Sequence, residues 1–275
     1  MEPAHLDDRT ILALGGPDAR DFLQGLVTND MQRLAPGKAL YTALLSPQGK
    51  ILFDFFVTEG EGALLLDCAR HARDTLLKKL KLYRLRAKVE IEARDQLGVF
   101  AALAGRPDNR PVPYAQRAIT FDDPRQAGLP RRSIGAIAEM PADLPGPQAY
   151  HDLRLALGVP EAGDFGFEKI FALDAGLAEL NGVSFTKGCY VGQELTSRMK
   201  HRATSRKRPY LVRADAPLPP PGTAIGDAGE IIAAYGRTGF ALVRLDRLAE
   251  TQSPYAAGGV PVALIRPAWL DTAHD

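Results

Sequence analysis

Two apolar stretches separated by a four-residue turn sequence constrain the fold of this chain more than any other feature. The stretches run from Ala39 to Leu45 and from Lys50 to Thr58, and Ser46-Pro47-Gln48-Gly49 lies between them. Proline and glycine stand where a β-turn favours them, so this segment predicts a hairpin of two antiparallel strands. The second stretch contains one carboxylate, Asp54, among apolar side chains. Because an unpaired buried charge is costly, we expect Asp54 to have a partner or a functional role.

The residues around this hairpin predict an α+β fold with antiparallel sheets. The pattern predicts strands at Thr10 to Leu14, Ala63 to Asp67 and Lys88 to Glu92, and a helix at about Ala69 to Arg84. Cys68 lies at a junction of strand and helix, where we expect a buried structural thiol. Neither a Rossmann nor a phosphate-loop fingerprint occurs in the chain.

A chain of 275 residues is longer than one ordinary domain. We predict domains at residues 1–95, 96–204 and 205–275, with a boundary near Ser205. The last segment has short strands separated by turns, which predicts a small β-barrel or sandwich. In the middle segment, strands at Leu97 to Ala104 and Ile134 to Ala138 flank a polar, proline-rich stretch from Arg106 to Arg132. We expect that stretch to be a surface excursion.

The composition excludes several classes of protein. A hydrophobic content of 45%, a charged content of 24% and a net charge of +1 give no overall attraction to nucleic acid or membrane. The first residues lack a signal-peptide pattern, and no apolar run reaches the ~18 residues of a membrane span. The chain is therefore expected to be cytoplasmic, with no membrane partner. Its two cysteines, Cys68 and Cys189, form no Cys-x-x-Cys pair, so we predict no metal site.

Cys189 lies in the stretch Lys187-Gly188-Cys189-Tyr190-Val191-Gly192-Gln193-Glu194. Gly192 permits a tight turn, and the residues after it are good helix formers. A thiol just before a helix start meets the positive end of the helix dipole, and the ammonium of Lys187 would also favour the thiolate. The alternative is a small buried hydrophobic residue, since free cysteine is among the most buried residue types. The residues alone leave both interpretations open.

The stretch from Arg198 to Arg208 carries six positive charges in eleven residues. Such a patch could bind the phosphates of RNA or an acidic small molecule, and a solvated linker is the alternative. A Cys–His hydrolase would need a base such as His71 or His201 beside a cysteine, and the sequence indicates no such pairing.

The eight-residue stretch around Cys189 resembles the signature of the YgfZ-type folate-binding proteins. These are relatives of the aminomethyltransferase, or T-protein, of the glycine cleavage system. Other segments resemble the family in the same order: Phe22 to Asp30, Tyr41 to Asp54, Arg154 followed by Gly158-Val159-Pro160, and Phe171 to Asn181. The resemblance covers nearly the whole chain and implies a T-protein-like cloverleaf of three domains with a C-terminal small β-barrel.

The resemblance also implies a ligand, tetrahydrofolate or a one-carbon derivative. Tyr41, Asp54 and Arg154 match residues that bind folate in the T-proteins, where the aspartate orients and polarises folate for one-carbon transfer. The implied catalytic groups are Asp54 and Cys189. The implied motif residues are Lys187, Gly188, Cys189, Tyr190, Gly192, Gln193 and Glu194. T-proteins typically have two adjacent aspartates where this chain has Phe53-Asp54.

These implications lead to three hypotheses about function. The first is a folate-binding protein that assembles or repairs iron–sulfur clusters and supports cluster enzymes, including tRNA-modifying ones. Its partners would be iron–sulfur proteins or their assembly factors. The second is a folate-dependent aminomethyl or other one-carbon transferase, which would be an enzyme. The third is an RNA-binding module that uses Arg198 to Arg208.

Overall fold

The computed structural model describes residues 3–103, 118–202, 206–248 and 254–271. The strands in these ranges are β1 Ala4–His5, β2 Arg9–Gly15, β3 Ala39–Leu45, β4 Ile51–Gly60, β5 Ala63–Ala69, β6 Glu90–Ala93, β7 Leu97–Ala101, β8 Ile119–Phe121, β9 Arg132–Ala136, β10 Lys207–Arg213, β11 Ala224–Ile225, β12 Gly229–Tyr235, β13 Thr238–Arg244, β14 Tyr255–Ala257 and β15 Val260–Ile265. The α-helices are α1 Ala19–Gln24, α2 Arg73–Tyr83, α3 Gln148–Ala156, α4 Ala162–Phe165, α5 Gln193–His201 and α6 Leu245–Leu248. Short 3₁₀ turns cover Met31–Arg33, Arg70–Ala72, Ile137–Glu139 and Ala268–Asp271.

Within these ranges the strands form three sheets, with orders β3-β4-β5-β2-β6, β1-β7-β9-β8 and β11-β12-β13-β10-β15-β14. Neighbouring strands pair antiparallel, for example β2 with β5 and β7 with β9. In the third sheet the two edge strands, β11 and β14, lie next to each other, so this sheet nearly closes on itself. The predicted α+β class with antiparallel sheets and a small C-terminal barrel is confirmed.

The predicted hairpin is confirmed as β3 and β4. Its turn is closed by Gly49 N–H, which donates to the Ser46 carbonyl at 2.8 Å. The turn continues into the strand pair through Ser46 N–H, which donates to the Lys50 carbonyl at 2.8 Å. Residues 51–58 of β4 are all buried, and this explains why the sequence there is almost entirely apolar.

The chain folds into two compact units. The first contains Met1–Leu44, Phe53–Leu153 and Asn181–Tyr190. The second contains Leu45–Leu52, Arg154–Leu180 and Val191–Asp275. The division into domains at 1–95, 96–204 and 205–275 stays a prediction, and its boundary residue Ser205 lies outside the described residues. None of the helices in the described part of the chain is long and apolar enough to cross a membrane.

The expected surface excursion from Arg106 to Arg132 is wrong where it can be judged. Residues 106–117 lie outside the described ranges, as does Ala104, the predicted end of the strand that forms β7. The remainder forms β8 and then carries side chains that are buried, among them Asp123 and Arg125. Arg132 is buried as well and begins β9, two residues before the predicted start of that strand. This polar sequence is buried because Asp123 pairs with Arg125 and Arg132, and Asp67, 65 positions before Arg132, pairs with Arg132 as well.

The expected structural role of Cys68 is confirmed, since its side chain is buried in β5. Burial raises the pKa of this thiol to about 12, from 9.0 in an unfolded chain, with Asp67 and Asp54 acting in the same direction and Arg9 opposing. Between pH 9 and pH 12, the unfolded chain releases the thiol proton of Cys68 and the folded chain keeps it. The stability from the neutral buried thiol is therefore complete below pH 9 and is lost as the pH rises toward 12.

We expect the difference in free energy of unfolding between wild type and Cys68→Ala to shrink by about 1.4 kcal/mol between pH 8 and pH 10. Urea unfolding of both proteins at both pH values measures this difference. The cavity that alanine leaves costs the same at either pH and cancels. An unchanged difference would mean that Cys68 ionises equally well in the folded and unfolded states.

Candidate functional site

Tyr41 and Asp54 lie together in the first unit. The Tyr41 hydroxyl on β3 donates to Asp54 Oδ2 on β4 at 2.6 Å, and both side chains are buried. Asp54 was expected to have a partner or a functional role, and the tyrosine thirteen positions before it is one such partner. A hydrogen bond from a phenol to a carboxylate is short and strong, so the pair holds both side chains in fixed orientations.

Aromatic and cationic groups surround Tyr41. The Phe56 ring lies 5.3 Å from the Tyr41 ring, centroid to centroid. The guanidinium of Arg125 lies 5.3 Å from the Tyr41 ring centre and 4.8 Å from that of Phe56. On the Phe56 ring a second guanidinium, that of Arg132, lies at 4.2 Å. Such cation–π contacts are strongest where water is excluded, and they fix the phenol that holds Asp54.

The two guanidinium groups belong to a buried ion cluster in the same unit. Arg132 Nη1 lies 2.8 Å from Asp67 Oδ2, and Arg132 Nε lies 3.2 Å from Asp123 Oδ2. Asp123 is also 2.7 Å from Arg125 Nη2, and Asp67 is 2.6 Å from Arg9 Nε. Burial acts to raise the pKa of Asp123, but Arg125 and Arg132 outweigh it and leave that pKa below its usual value. The Asp123 carboxylate is therefore charged, and removing one of its cationic partners would leave a buried charge without compensation.

Tyr150 closes the cluster from α3. Its hydroxyl accepts a hydrogen bond from Arg125 Nη2 at 2.7 Å and another from Arg132 Nη2. Sequence reasoning missed this whole cluster. One signal was available, because Asp67 ends an apolar strand as Asp54 interrupts one, and a buried carboxylate there requires a cation.

Lys187 is buried in the first unit, although it stands only two positions before the exposed Cys189 in the sequence. Its ammonium donates to the carbonyls of Gln24 at 2.7 Å, Val27 at 2.7 Å and Asn29 at 2.8 Å. An ammonium has three N–H donors, so all of them are used and none is donated to Cys189. The ammonium therefore donates no hydrogen bond to Cys189, and its electrostatic influence on the thiol stays a prediction. Burial lowers the pKa of Lys187 to about 8, and Asp30 opposes this shift.

Cys189 is a free cysteine with an exposed side chain. Its interpretation as a small buried hydrophobic residue is wrong. The helix α5 starts at Gln193 with Gly192 as its N-cap, so three positions separate the thiol from the cap. On either side of the exposed pair Gly188 and Cys189, the chain is buried at Lys187 and Tyr190. The Lys187 ammonium lies 5.1 Å from the Tyr190 ring centre.

Gly192 occupies a place in the second unit that only glycine fits. Its φ of +81° lies in the left-handed region. A Cβ atom there would be 2.6 Å from the Ser46 carbonyl oxygen and 3.2 Å from the Cα of Gly49. The glycine therefore lets the start of α5 pack against the turn of the β3–β4 hairpin. Glu194 in the first turn of α5 pairs with Arg198, one turn along.

Arg154, the third predicted folate residue, lies in the second unit and is buried. Its guanidinium Nη1 lies 2.8 Å from Asp164 Oδ2, and Asp164 Oδ1 accepts a hydrogen bond from the Tyr235 hydroxyl at 2.5 Å. Burial and the Asp164 carboxylate raise the pKa of Tyr235 to about 12. These contacts tie the end of α3 and α4 to β12. Folate binding by Arg154 stays a prediction.

The basic stretch from Arg198 to Arg208 is not a linker in its described part. It forms the end of α5 and the start of β10, while residues 203–205 lie outside the described ranges. Arg198 pairs with Glu194, and Arg208 pairs with Glu179 at 3.0 Å, so part of the positive charge is neutralised. No group of His, Cys, Asp and Glu within the described ranges could hold a metal ion.

Two family models match the chain. The model of the GCVT N-terminal domain matches residues 10–110, and the model of the CAF17 C-terminal beta-barrel domain matches residues 206–272. The crystal structure of the glycine cleavage system aminomethyltransferase T from Bartonella henselae is similar, with a TM-score of 0.72 and 15% sequence identity. The match covers 98% of this chain and 86% of that one. This likeness concerns the fold, and it confirms the predicted T-protein-like architecture.

Curated relatives match over almost the full length of the chain. The human iron-sulfur cluster assembly factor IBA57, mitochondrial, is 36% identical over 303 residues, which cover 97% of this chain and 85% of that protein. The mouse protein of the same name is 33% identical over 310 residues and covers 98% of this chain and 85% of its own length.

Proposed function

This chain belongs to the family of the iron–sulfur cluster assembly factor IBA57, and from that membership we propose that it acts in the assembly or repair of iron–sulfur clusters. The observation that carries the proposal is the exposed free thiol of Cys189, set between the buried residues Lys187 and Tyr190. An exposed cysteine held by buried neighbours can meet a partner, a cluster or a sulfur species without any rearrangement of the core.

One thiol cannot hold a cluster alone, because clusters usually require four thiolate ligands. The other cysteine, Cys68, is buried in β5 and has a raised pKa, so it supplies no accessible thiolate. Cys189 therefore acts together with ligands of a partner, which is an iron–sulfur protein or another assembly factor. The clients include tRNA-modifying cluster enzymes. The cytoplasmic location stays a prediction.

We further propose that tetrahydrofolate or a one-carbon derivative binds at Tyr41 and Asp54. The residues fit such a ligand, because a pterin ring presents N–H donors and an ionised carboxylate is an acceptor for about four hydrogen bonds. The bond from Tyr41 at 2.6 Å holds the carboxylate of Asp54 in a fixed orientation. Bound tetrahydrofolate would supply a carrier for one-carbon units. Asp54 would accept the ring N–H groups, and Tyr41 would keep the carboxylate oriented.

Replacing Cys189 with serine tests the proposal in cells. In cells that lack the wild-type protein, Cys189→Ser is expected to lower the activity of iron–sulfur enzymes and leave cluster-free enzymes unchanged. Serine preserves the shape of the side chain but does not replace the soft thiolate that a cluster or sulfur species requires. Enzyme assays in extracts measure the effect.

Cys68→Ser is the matched control, since it removes the buried thiol and keeps the exposed one. It is expected to restore cluster enzymes once its expression matches that of wild type. Normal cluster enzymes in the Cys189→Ser cells would contradict the role of this thiol.

A further inference from the structure

The buried ammonium of Lys187 donates its hydrogen bonds to backbone carbonyls. The acceptors lie in the segment from Gln24 to Asn29, where α1 ends at Gln24 and leaves carbonyls without partners inside the helix. The last turn of α1 contains no basic residue of its own. A cation from a distant part of the sequence therefore satisfies the Gln24 carbonyl, at the negative end of the helix dipole, and the Val27 and Asn29 carbonyls beyond the helix.

Hydrogen bonds also join this segment to residues 181–184, which precede Lys187 in the chain. The Thr28 hydroxyl donates to the Gly182 carbonyl at 2.6 Å, and the Thr28 carbonyl accepts from Ser184 N–H at 3.0 Å. The Asn29 side-chain amide donates to the Asn181 carbonyl at 2.7 Å. Residues 181–187 are thus fixed to Thr28 and Asn29 at both ends, and Lys187 provides the last fixed point before the exposed thiol.

The segment is joined equally to the strand that carries Tyr41. The Asn29 amide donates to the Tyr41 carbonyl at 2.8 Å, and Asn29 N–H donates to the Thr42 hydroxyl at 3.0 Å. Lys187 Nζ reaches the Asn29 carbonyl at 2.8 Å. Continuous hydrogen bonds therefore connect the backbone of Tyr41, through Asn29, to Lys187, two positions before Cys189.

We propose that Lys187 is the positioning residue of the Cys189 thiol. Its bonds to the Gln24, Val27 and Asn29 carbonyls hold the exposed residues Gly188 and Cys189 at a fixed place beside β3. The functional part of this inference rests on the proposed role of Cys189. The ammonium acts through the backbone and not through the thiol, since its donors are all engaged.

Lys187→Met tests the inference, because methionine keeps the length and apolar body of the side chain and removes the donors. The backbone amides of Ser184 and Asn29, which donate to the Thr28 carbonyl and the Thr42 hydroxyl, are expected to exchange hydrogen at least about fivefold faster, as about 1 kcal/mol of lost hydrogen bonding requires. Amides of β2 and β5 should keep their rates. In cells, the activity of iron–sulfur enzymes is expected to fall as it does with Cys189→Ser.

Two further variants keep the test decisive. Lys187→Arg retains a cation near the carbonyls and should restore part of the protection and of the client activity, and it carries the comparison if Lys187→Met does not fold. Lys200→Met removes an exposed lysine on α5 and is expected to change neither readout.

Wild-type exchange rates at Ser184 and Asn29 in both Lys187 variants would overturn the anchoring by Lys187. Normal client activity in Lys187→Met, with activity lost in Cys189→Ser, would overturn the positioning role and leave the proposed function standing. Normal client activity in Cys189→Ser itself would refute the proposed function. Faster exchange at these amides in Lys187→Met would then still support the anchoring by Lys187.

Discussion

Replacing Arg132 with methionine is expected to lower the free energy of unfolding by about 3–5 kcal/mol. The guanidinium lies 2.8 Å from Asp67 and 3.2 Å from Asp123, and all three side chains are fully buried. Methionine fills much of the same volume but leaves two buried carboxylates with one fewer cation. Since whole domains are stable by only about 5–15 kcal/mol, the folded fraction should fall markedly.

Arg131→Met is the matched control for this prediction. Arg131 is the preceding residue, and its ion-pair partner Asp122 is 84% exposed. Exposed pairs contribute about 0–1 kcal/mol, so this variant should unfold at nearly the wild-type urea concentration. Urea unfolding of both variants, followed by circular dichroism, separates the two cases. Equal losses of stability in the two variants would contradict the assignment of Arg132 to a buried ion cluster.

The second large effect is expected at the proposed folate site. Asp54→Asn keeps the shape of the side chain and an oxygen that can accept the Tyr41 hydrogen bond, but it removes the charge. Hydrogen bonds to charged groups contribute about 1.5–3 kcal/mol. Affinity for tetrahydrofolate should therefore fall about 10- to 100-fold.

The matched control is Asp122→Asn, which changes an exposed carboxylate in the same unit. Its affinity for tetrahydrofolate should equal that of wild type. Urea unfolding of Asp54→Asn shows whether the fold is retained, because a loss of binding is informative only in a folded protein.

Local sequence patterns predicted the parts of the molecule whose interactions are close in sequence. The β3–β4 hairpin followed from a turn between two apolar runs, and the need of Asp54 for a partner followed from its apolar strand. The resemblance to a known family added Tyr41 and Asp54 as folate-binding residues, a role that stays a prediction. The structure supplied their geometry, a hydrogen bond of 2.6 Å.

Long-range interactions could not be predicted in the same way. Arg132 lies in polar sequence and is buried, and one of the carboxylates that neutralise it, Asp67, is 65 positions away. Lys187 finds its acceptors 158 to 163 positions earlier in the chain. Proximity in sequence assigned this ammonium to Cys189, while the geometry assigns it to backbone carbonyls. Burial of a charged residue depends on partners that no local pattern contains.

Anaerobic titration calorimetry of tetrahydrofolate into the purified protein tests most directly whether this member of the IBA57 family binds folate at Tyr41 and Asp54. We expect saturable heat at one site in wild type and in Asp122→Asn, and an affinity weaker by about 10- to 100-fold in Asp54→Asn. No saturable heat in wild type, or equal affinity in folded Asp54→Asn, would contradict a folate site at this pair.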